Sequence, residues 1–320
     1  MDHVLRNISE AAAIIRRGGL VAFPTETVYG LGADATNPSA VARIFEVKER
    51  PKLDSLIVHI AEHSQISQVV KSVPPKAAIL IEKFWPGPLT LILQKQEIIP
   101  DIVTSGLPGV GIRMPDNKTA RTMISLCGKP VAAPSANKFG SISPTCAAHV
   151  SEQLNDSVDM ILDGGNCSIG VESTIISFMY DDPLLLRPGG LSLESIQKEI
   201  GQIIIPDISD HKNASPGRCL RHYAPLTPLQ LIQTATIRQS NLKIGLLTLK
   251  ENEFTDNYTT VEILSRTGNL NEAACNLFAA LRRLDAAGLD LIIAEPVPDE
   301  GLGRAINDRL YRASTKRSGV

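Results

Sequence analysis

Three arginines stand at the ends of apolar or helical runs. Arg113 follows Gly109-Val110-Gly111-Ile112, Arg187 follows Leu184-Leu185-Leu186, and Arg50 follows a helical stretch ending near Lys48. A charge buried without a partner is costly, so an arginine closing an apolar strand must meet an anion. That anion is a carboxylate of the protein or one carried by a ligand. Arginine offers a bidentate fork and lysine a mobile point charge, and both suit phosphate. Lys48, Arg50 and Lys52 also have a plainer explanation, because cations complement the C-terminal end of a helix dipole.

Small polar residues gather at other strand ends. Pro24-Thr25-Glu26-Thr27-Val28-Tyr29-Gly30-Leu31-Gly32 follows a buried run, in the place where open sheets put ligands. An ordinary turn with a capping threonine fits it equally. Ala133-Pro134-Ser135-Ala136-Asn137 leads to Pro144-Thr145, which can start a helix whose free N–H groups favour anions. A loop with an N-cap also accounts for it. Gly170-Val171-Glu172-Ser173-Thr174 and Arg187-Pro188-Gly189-Gly190 read as a binding strand end or as a hairpin with its turns. Ser215-Pro216-Gly217-Arg218, continuing to Arg221-His222-Tyr223-Ala224-Pro225, places a His-Tyr pair where a linker needs none.

Two nucleotide signatures are missing. The chain has no GxxxxGK[ST] loop and no GxGxxG after a first strand. No serine or cysteine stands in a recognisable triad context.

These groups need a scaffold. Ser9 is predicted to cap a helix through residues 11–17, stopped at Gly18-Gly19. Residues 20–23 read as a buried strand, and Asn37-Pro38 opens a second helix. Further strands are expected at 56–60, 89–93, 110–113, 131–133, 160–162, 174–178 and 184–186, with helices near 64–71, 75–84, 117–126 and 192–200. The elements are interspersed without strict alternation, so a mixed α/β sheet is expected over residues 1–205. Prolines punctuate a linker at 206–228. Residues 229–320 read as a small α/β domain. Its strands are expected at 243–249, 261–264 and 289–294, with one helix bearing Leu277, Phe278, Leu281 and Leu284 on a single face and a last helix from about Leu302.

Composition narrows the class. The 320 residues are 43% hydrophobic but only 4% aromatic, with a net charge of −2. Base-stacking platforms must be scarce and no global field draws nucleic acid. Residues 211–250 lack Asp and Glu and carry six cations, a basic surface or the face of an anion site. The five cysteines form no CxxC pair, so neither zinc nor a disulfide framework is suggested. No leader-like run opens the chain, and no apolar stretch approaches the ~20 residues that span a bilayer. The reading is a soluble cytoplasmic protein.

In order along the chain, PTETVYGLG, the Lys48/Arg50 segment, FWPGPLTLIL, GIRMP, APSAN, GVESTII and LRPGG resemble the YrdC-like threonylcarbamoyl-adenylate synthase family. The SPG…RHYAP linker and the small second domain resemble its two-domain form. The resemblance implies a curved mixed-sheet YrdC-like catalytic domain and a Rossmann-like C-terminal domain. It implies a reaction joining L-threonine, bicarbonate and ATP into threonylcarbamoyl-AMP and pyrophosphate, with magnesium on the triphosphate. By the same resemblance the product would serve a downstream tRNA threonylcarbamoyl transferase acting on tRNAs that read codons starting with A. Transfer RNA itself is a further candidate partner, and a membrane is not.

Carried over residue by residue, the resemblance gives Thr27, His59, Arg113, Ser135 and Ser173 to threonine. Arg50, Asp54, Gly109, Asn137, Thr145, Arg187 and Tyr223 go to ATP, with Lys48 and Arg50 as the catalytic cations and Tyr223 closing a lid. No protein metal site is implied. The chain departs from the common Asn-Pro-Leu with Asp54-Ser55-Leu56, so Asp54 needs a cationic partner such as Lys52 or a metal. Arg218 replaces a common methionine. Two rivals are an RNA binder using the same concavity, disfavoured by charge and few aromatics, and a carbamoyl-transfer module as in hydrogenase maturation, disfavoured by the absence of CxxC pairs.

Overall fold

The computed structural model describes residues 2–51, 53–206, 222–232, 242–251 and 255–315. Lys52, Lys212 and the linker stretch with Ser215, Arg218 and Arg221 lie outside the described residues. Among the described residues, nine strands form the larger sheet. They are β1 (Val21–Phe23), β2 (Gly30–Asp34), β3 (Ile57–His59), β4 (Leu89–Gln94), β5 (Gly109–Arg113), β6 (Val131–Ala132), β7 (Met160–Ile161), β8 (Thr174–Ser177) and β9 (Leu184–Arg187). Their order is β7-β1-β2-β6-β3-β5-β4-β8-β9. The pairs β1/β7, β3/β5 and β4/β8 are parallel and the rest antiparallel, so the sheet is mixed.

A second, fully parallel sheet holds β10 (Leu229–Leu231), β11 (Ile244–Thr248), β12 (Thr260–Ile263) and β13 (Leu291–Ala294), in the order β10-β13-β11-β12. Helix Leu270–Asp285 lays Leu277, Phe278, Leu281 and Leu284 against it, as its apolar face requires. The same hydrophobic cluster includes Val28, Ile142 and Val171 of the larger unit. The two units therefore share buried apolar surface. Gly170 shows how closely they approach: a Cβ there would lie 2.5 Å from the Cα of Cys275, and its φ is +78°. Only glycine satisfies both conditions.

Several expectations change. The first helix runs Asp2–Arg16, so Ser9 lies exposed inside it and caps nothing. No Pro or Gly interrupts 2–16, and Ile8, Ala11, Ala12 and Ile15 are buried. The glycines at 30 and 32 are strand residues rather than turn residues. A Cβ on Gly32 would meet the Phe23 ring at 2.7 Å, so these glycines make room for an aromatic on the neighbouring strand. The helix expected from Pro144 starts at Ala147 instead. Pro144 and Thr145 are engaged elsewhere, their carbonyls accepting from the Tyr29 and Cys167 amides. Strand β10 is additional: it starts at Leu229, directly after the proline-punctuated stretch, where no strand is expected.

Candidate active site

The C-terminal ends of β3 and β5 lie side by side and pair His59 with Arg113 in register. Arg113 is 3% exposed. Its Nη2 donates to Glu26 Oε1 at 2.6 Å, its Nη1 to Thr27 Oγ1 at 2.9 Å and its Nε to the Gly87 carbonyl at 3.2 Å. The Thr25 hydroxyl fixes this arrangement. It donates to the Val28 carbonyl and accepts from the Thr27 and Val28 amides. With that proton spent, Thr27 donates to Thr25 across 2.9 Å and keeps its own lone pairs for Arg113. Burial first, and the Arg113 cation second, push the His59 pKa down to about 3, so the imidazole is neutral near pH 7.

Helix Pro38–Lys48 delivers the next cations. Asn37 caps its start, accepting from the Ser39 and Ala40 amides. At its end Glu49 adopts φ +55°, and the Arg50 amide returns to the Phe45 carbonyl. This left-handed turn separates the directions of Lys48 and Arg50. Arg50 reaches the cavity, held by the Asp54 and Ser55 carbonyls and by the Asp54 carboxylate at 2.9 Å. The partner of Asp54 is thus Arg50. Lys48 does not line the cavity. Its ammonium is buried and donates to the Ser135 carbonyl at 2.6 Å and to the Asn137 carbonyl. Burial, then Arg50, lower its pKa well below the usual lysine value.

On the opposite side, Arg187 at the end of β9 donates through Nε and Nη2 to the Ser173 carbonyl, and Nη2 also lies 3.3 Å from the Ser173 hydroxyl. That hydroxyl shares a hydrogen bond of 2.7 Å with Thr90. Tyr223 packs on Phe278, with ring centroids 5.5 Å apart, and burial first pushes its pKa up to about 12. The phenol oxygen has no hydrogen-bond partner among the described residues.

One cavity is therefore lined by Thr27, His59, Arg113, Ser135 and Ser173 together with Arg50, Arg187 and Tyr223. Four expected ATP contacts stand outside its walls. Asp54 is spent on Arg50. Gly109 sits at the other end of β5, roughly 13 Å from Arg113 along the strand. Asn137 donates to the Lys138 and Ser141 carbonyls, and Thr145 bonds His149. Sequence reasoning assigned no role to Thr25, Glu172 or His222, which also line the cavity. All three stand in motifs singled out in the sequence, beside residues that were given roles, and that position was the signal available.

A family model described as Telomere recombination matches residues 13–189. Another, described as Threonylcarbamoyl-AMP synthase, C-terminal domain, matches residues 191–315. The chain is 43% identical over 324 residues to the threonylcarbamoyl-AMP synthase of Pyrococcus abyssi, covering 96% of this chain and 94% of that protein. The chain belongs to the threonylcarbamoyl-AMP synthase family. It is 44% identical to the threonylcarbamoyl-AMP synthase of Bacillus subtilis over 97% of this chain and 93% of that one. The crystal structure of P. abyssi Sua5 complexed with L-threonine superposes with a TM-score of 0.90, at 43% identity, over 96% of this chain and 94% of that one. Within this synthase-family chain the cavity draws on both matched stretches, since His222 and Tyr223 fall in the second. Among the described residues no helix is long and apolar enough to cross a membrane.

Proposed function

We propose that this protein makes threonylcarbamoyl-AMP and pyrophosphate from L-threonine, bicarbonate and ATP. The observation that carries the reading is one cavity whose walls hold Arg50, Arg113 and Arg187 beside small hydroxyls and a neutral imidazole. The threonine-bound P. abyssi structure supports the same amino acid as substrate here. In the proposed reaction the threonine amine takes up carbon dioxide derived from bicarbonate. A carbamate oxygen then bonds to the α-phosphorus of ATP, and the bond to the leaving pyrophosphate breaks. Two anions must meet, so the protein's contribution is charge neutralisation and alignment.

Arg113 is the proposed partner of the threonine carboxylate. Three of its five N–H groups are engaged, which leaves two for a bidentate anion. Thr27, His59, Ser135 and Ser173 would complete the amino-acid pocket, while Arg50, Arg187 and Tyr223 would face the nucleotide. Lys48 and Asp54 would act at one remove, Lys48 through the loop carrying Ser135 and Asn137, Asp54 through Arg50. Gly109, Asn137 and Thr145 would shape the surroundings of the nucleotide.

Magnesium is proposed to arrive with ATP. Among the described residues no group of three His, Cys, Asp or Glu side chains converges. Glu26 and Glu172 each already hold an arginine. The residues therefore do not make a protein cage for the ion. Its ligands would be phosphate oxygens and water, where it would offset triphosphate charge. The product would pass to a transferase that modifies adenosine in tRNAs reading codons that start with A. The deciding experiment is pyrophosphate release with ATP and bicarbonate, with and without L-threonine. Release that ignores threonine would overturn the reading.

A further inference from the structure

Arg309, on helix Gly303–Ser314 of the second unit, has no solvent exposure. It reaches across to the catalytic cavity. Its Nε donates to Glu172 Oε2 at 2.9 Å, and its Nη1 donates to the Pro188 carbonyl at 2.7 Å and to Asp308 Oδ2 at 2.9 Å. Its guanidinium carbon stands 5.2 Å from the centre of the Tyr223 ring. The other oxygen of Glu172 accepts from the Ser143 hydroxyl at 2.6 Å. One side chain thus holds the turn after Arg187, the residue before Ser173 and the face of Tyr223.

These segments are already pressed together. A Cβ on Gly189 would lie 2.3 Å from the Glu172 carbonyl oxygen, so the two turns pack backbone on backbone. Arg309 spans the seam between them. Its Nη2 has no hydrogen-bond partner among the described residues. A second arginine between the units, Arg282, also has a buried nitrogen without a hydrogen-bond partner among the described residues, but it donates to the Ile142 carbonyl at 2.7 Å and to Glu152 at 3.2 Å, neither of which lines the cavity, whereas Glu172 and Tyr223 do.

We propose that Arg309 is a positioning residue for the nucleotide half of the cavity, supplied by the second unit. Two of the three groups it holds, Tyr223 and the turn bearing Arg187, face ATP in the reaction proposed above, on which this inference rests. The second unit then completes the site with a side chain rather than merely covering it.

The test compares full-length wild type with Arg309→Gln, Arg309→Lys, Glu172→Gln, the Arg309→Gln/Glu172→Gln pair and Arg282→Gln. Threonine-dependent pyrophosphate release is measured against ATP and against threonine, with a thermal melt of each variant. Arg309→Gln is expected to raise the KM for ATP at least tenfold and that for threonine less than threefold. Arg309→Lys should recover part of the loss, and the double variant should be no worse than the poorer single. Arg282→Gln should stay within twofold of wild type. An ATP KM within twofold of wild type in Arg309→Gln, or an equal rise in Arg282→Gln, would overturn the inference. If Arg309→Gln does not fold, Glu172→Gln decides by the same ATP-against-threonine split. Wild type with no threonine-dependent release would instead sink the proposed reaction and leave the geometry of Arg309 as it stands.

Discussion

His59 and Arg113 are register partners on adjacent parallel strands, so a buried cation and a neutral imidazole face one cavity from neighbouring positions. The pairing has a consequence for pH. The folded state holds His59 unprotonated down to about 3, against an ordinary value of 6.5. Below 6.5 the unfolded chain binds a proton that the folded chain refuses. Stability contributed by this group is therefore complete above pH 6.5 and is lost progressively as pH falls toward 3, on the order of a few kcal/mol in all. His222, likewise lowered by burial and then by Arg50 and Lys48, acts in the same direction. Urea midpoints between pH 7 and pH 4 should fall, and His59→Asn should flatten the decline. An unchanged slope in that variant would refute the assignment.

Removing the carboxylate from Arg113 should be expensive. Glu26→Ala leaves the guanidinium buried with only Thr27 and the Gly87 carbonyl, and breaking such a pair costs about 3–5 kcal/mol. Glu26→Gln keeps an acceptor and should cost less. Denaturant unfolding of the two variants checks the order.

Lys48→Met should lower turnover without any direct contact being lost from the cavity wall. It strands the carbonyls of Ser135 and Asn137, at about 1–3 kcal/mol for a buried unsatisfied acceptor. The expected result is at least a tenfold fall in kcat, accompanied by a lower melting temperature. Full stability with a defect confined to the ATP KM would mean that Lys48 meets phosphate directly.

Gly170→Ala should loosen the junction between the two units. The added methyl meets the backbone of Cys275, and the φ of +78° is unfavourable for alanine, so a loss of about 1–3 kcal/mol is expected. Limited proteolysis should then cut between the units faster than in wild type, and equal rates would count against the close approach.

Arg113 and Arg187 were legible because a charge ending an apolar run demands an anion, whatever the fold, while Arg50 was legible only through the family resemblance. The mixed sheet was legible for the same kind of reason, from short apolar runs broken by turns. What remained hidden depended on distant chain. Spacing alone could not separate Lys48 from Arg50, because the left-handed Glu49 between them decides which one reaches the cavity. Strand β2 was masked by glycines whose purpose lies in the Phe23 ring. Arg309 sits in an ordinary amphipathic helix, 137 residues from the glutamate it holds, and nothing in its local pattern marks it.

The hydrophobic cluster that joins Val28, Ile142 and Val171 to Phe278 and Leu277 bears on how the chain can be divided. The two matching family models meet between residues 189 and 191, yet the apolar surface runs straight across that seam. A fragment ending there would present these side chains to water and stick to its own copies. The stretch matched by one family model is thus shorter than the stretch that shares one apolar core, and a version truncated at the seam would carry that patch uncovered.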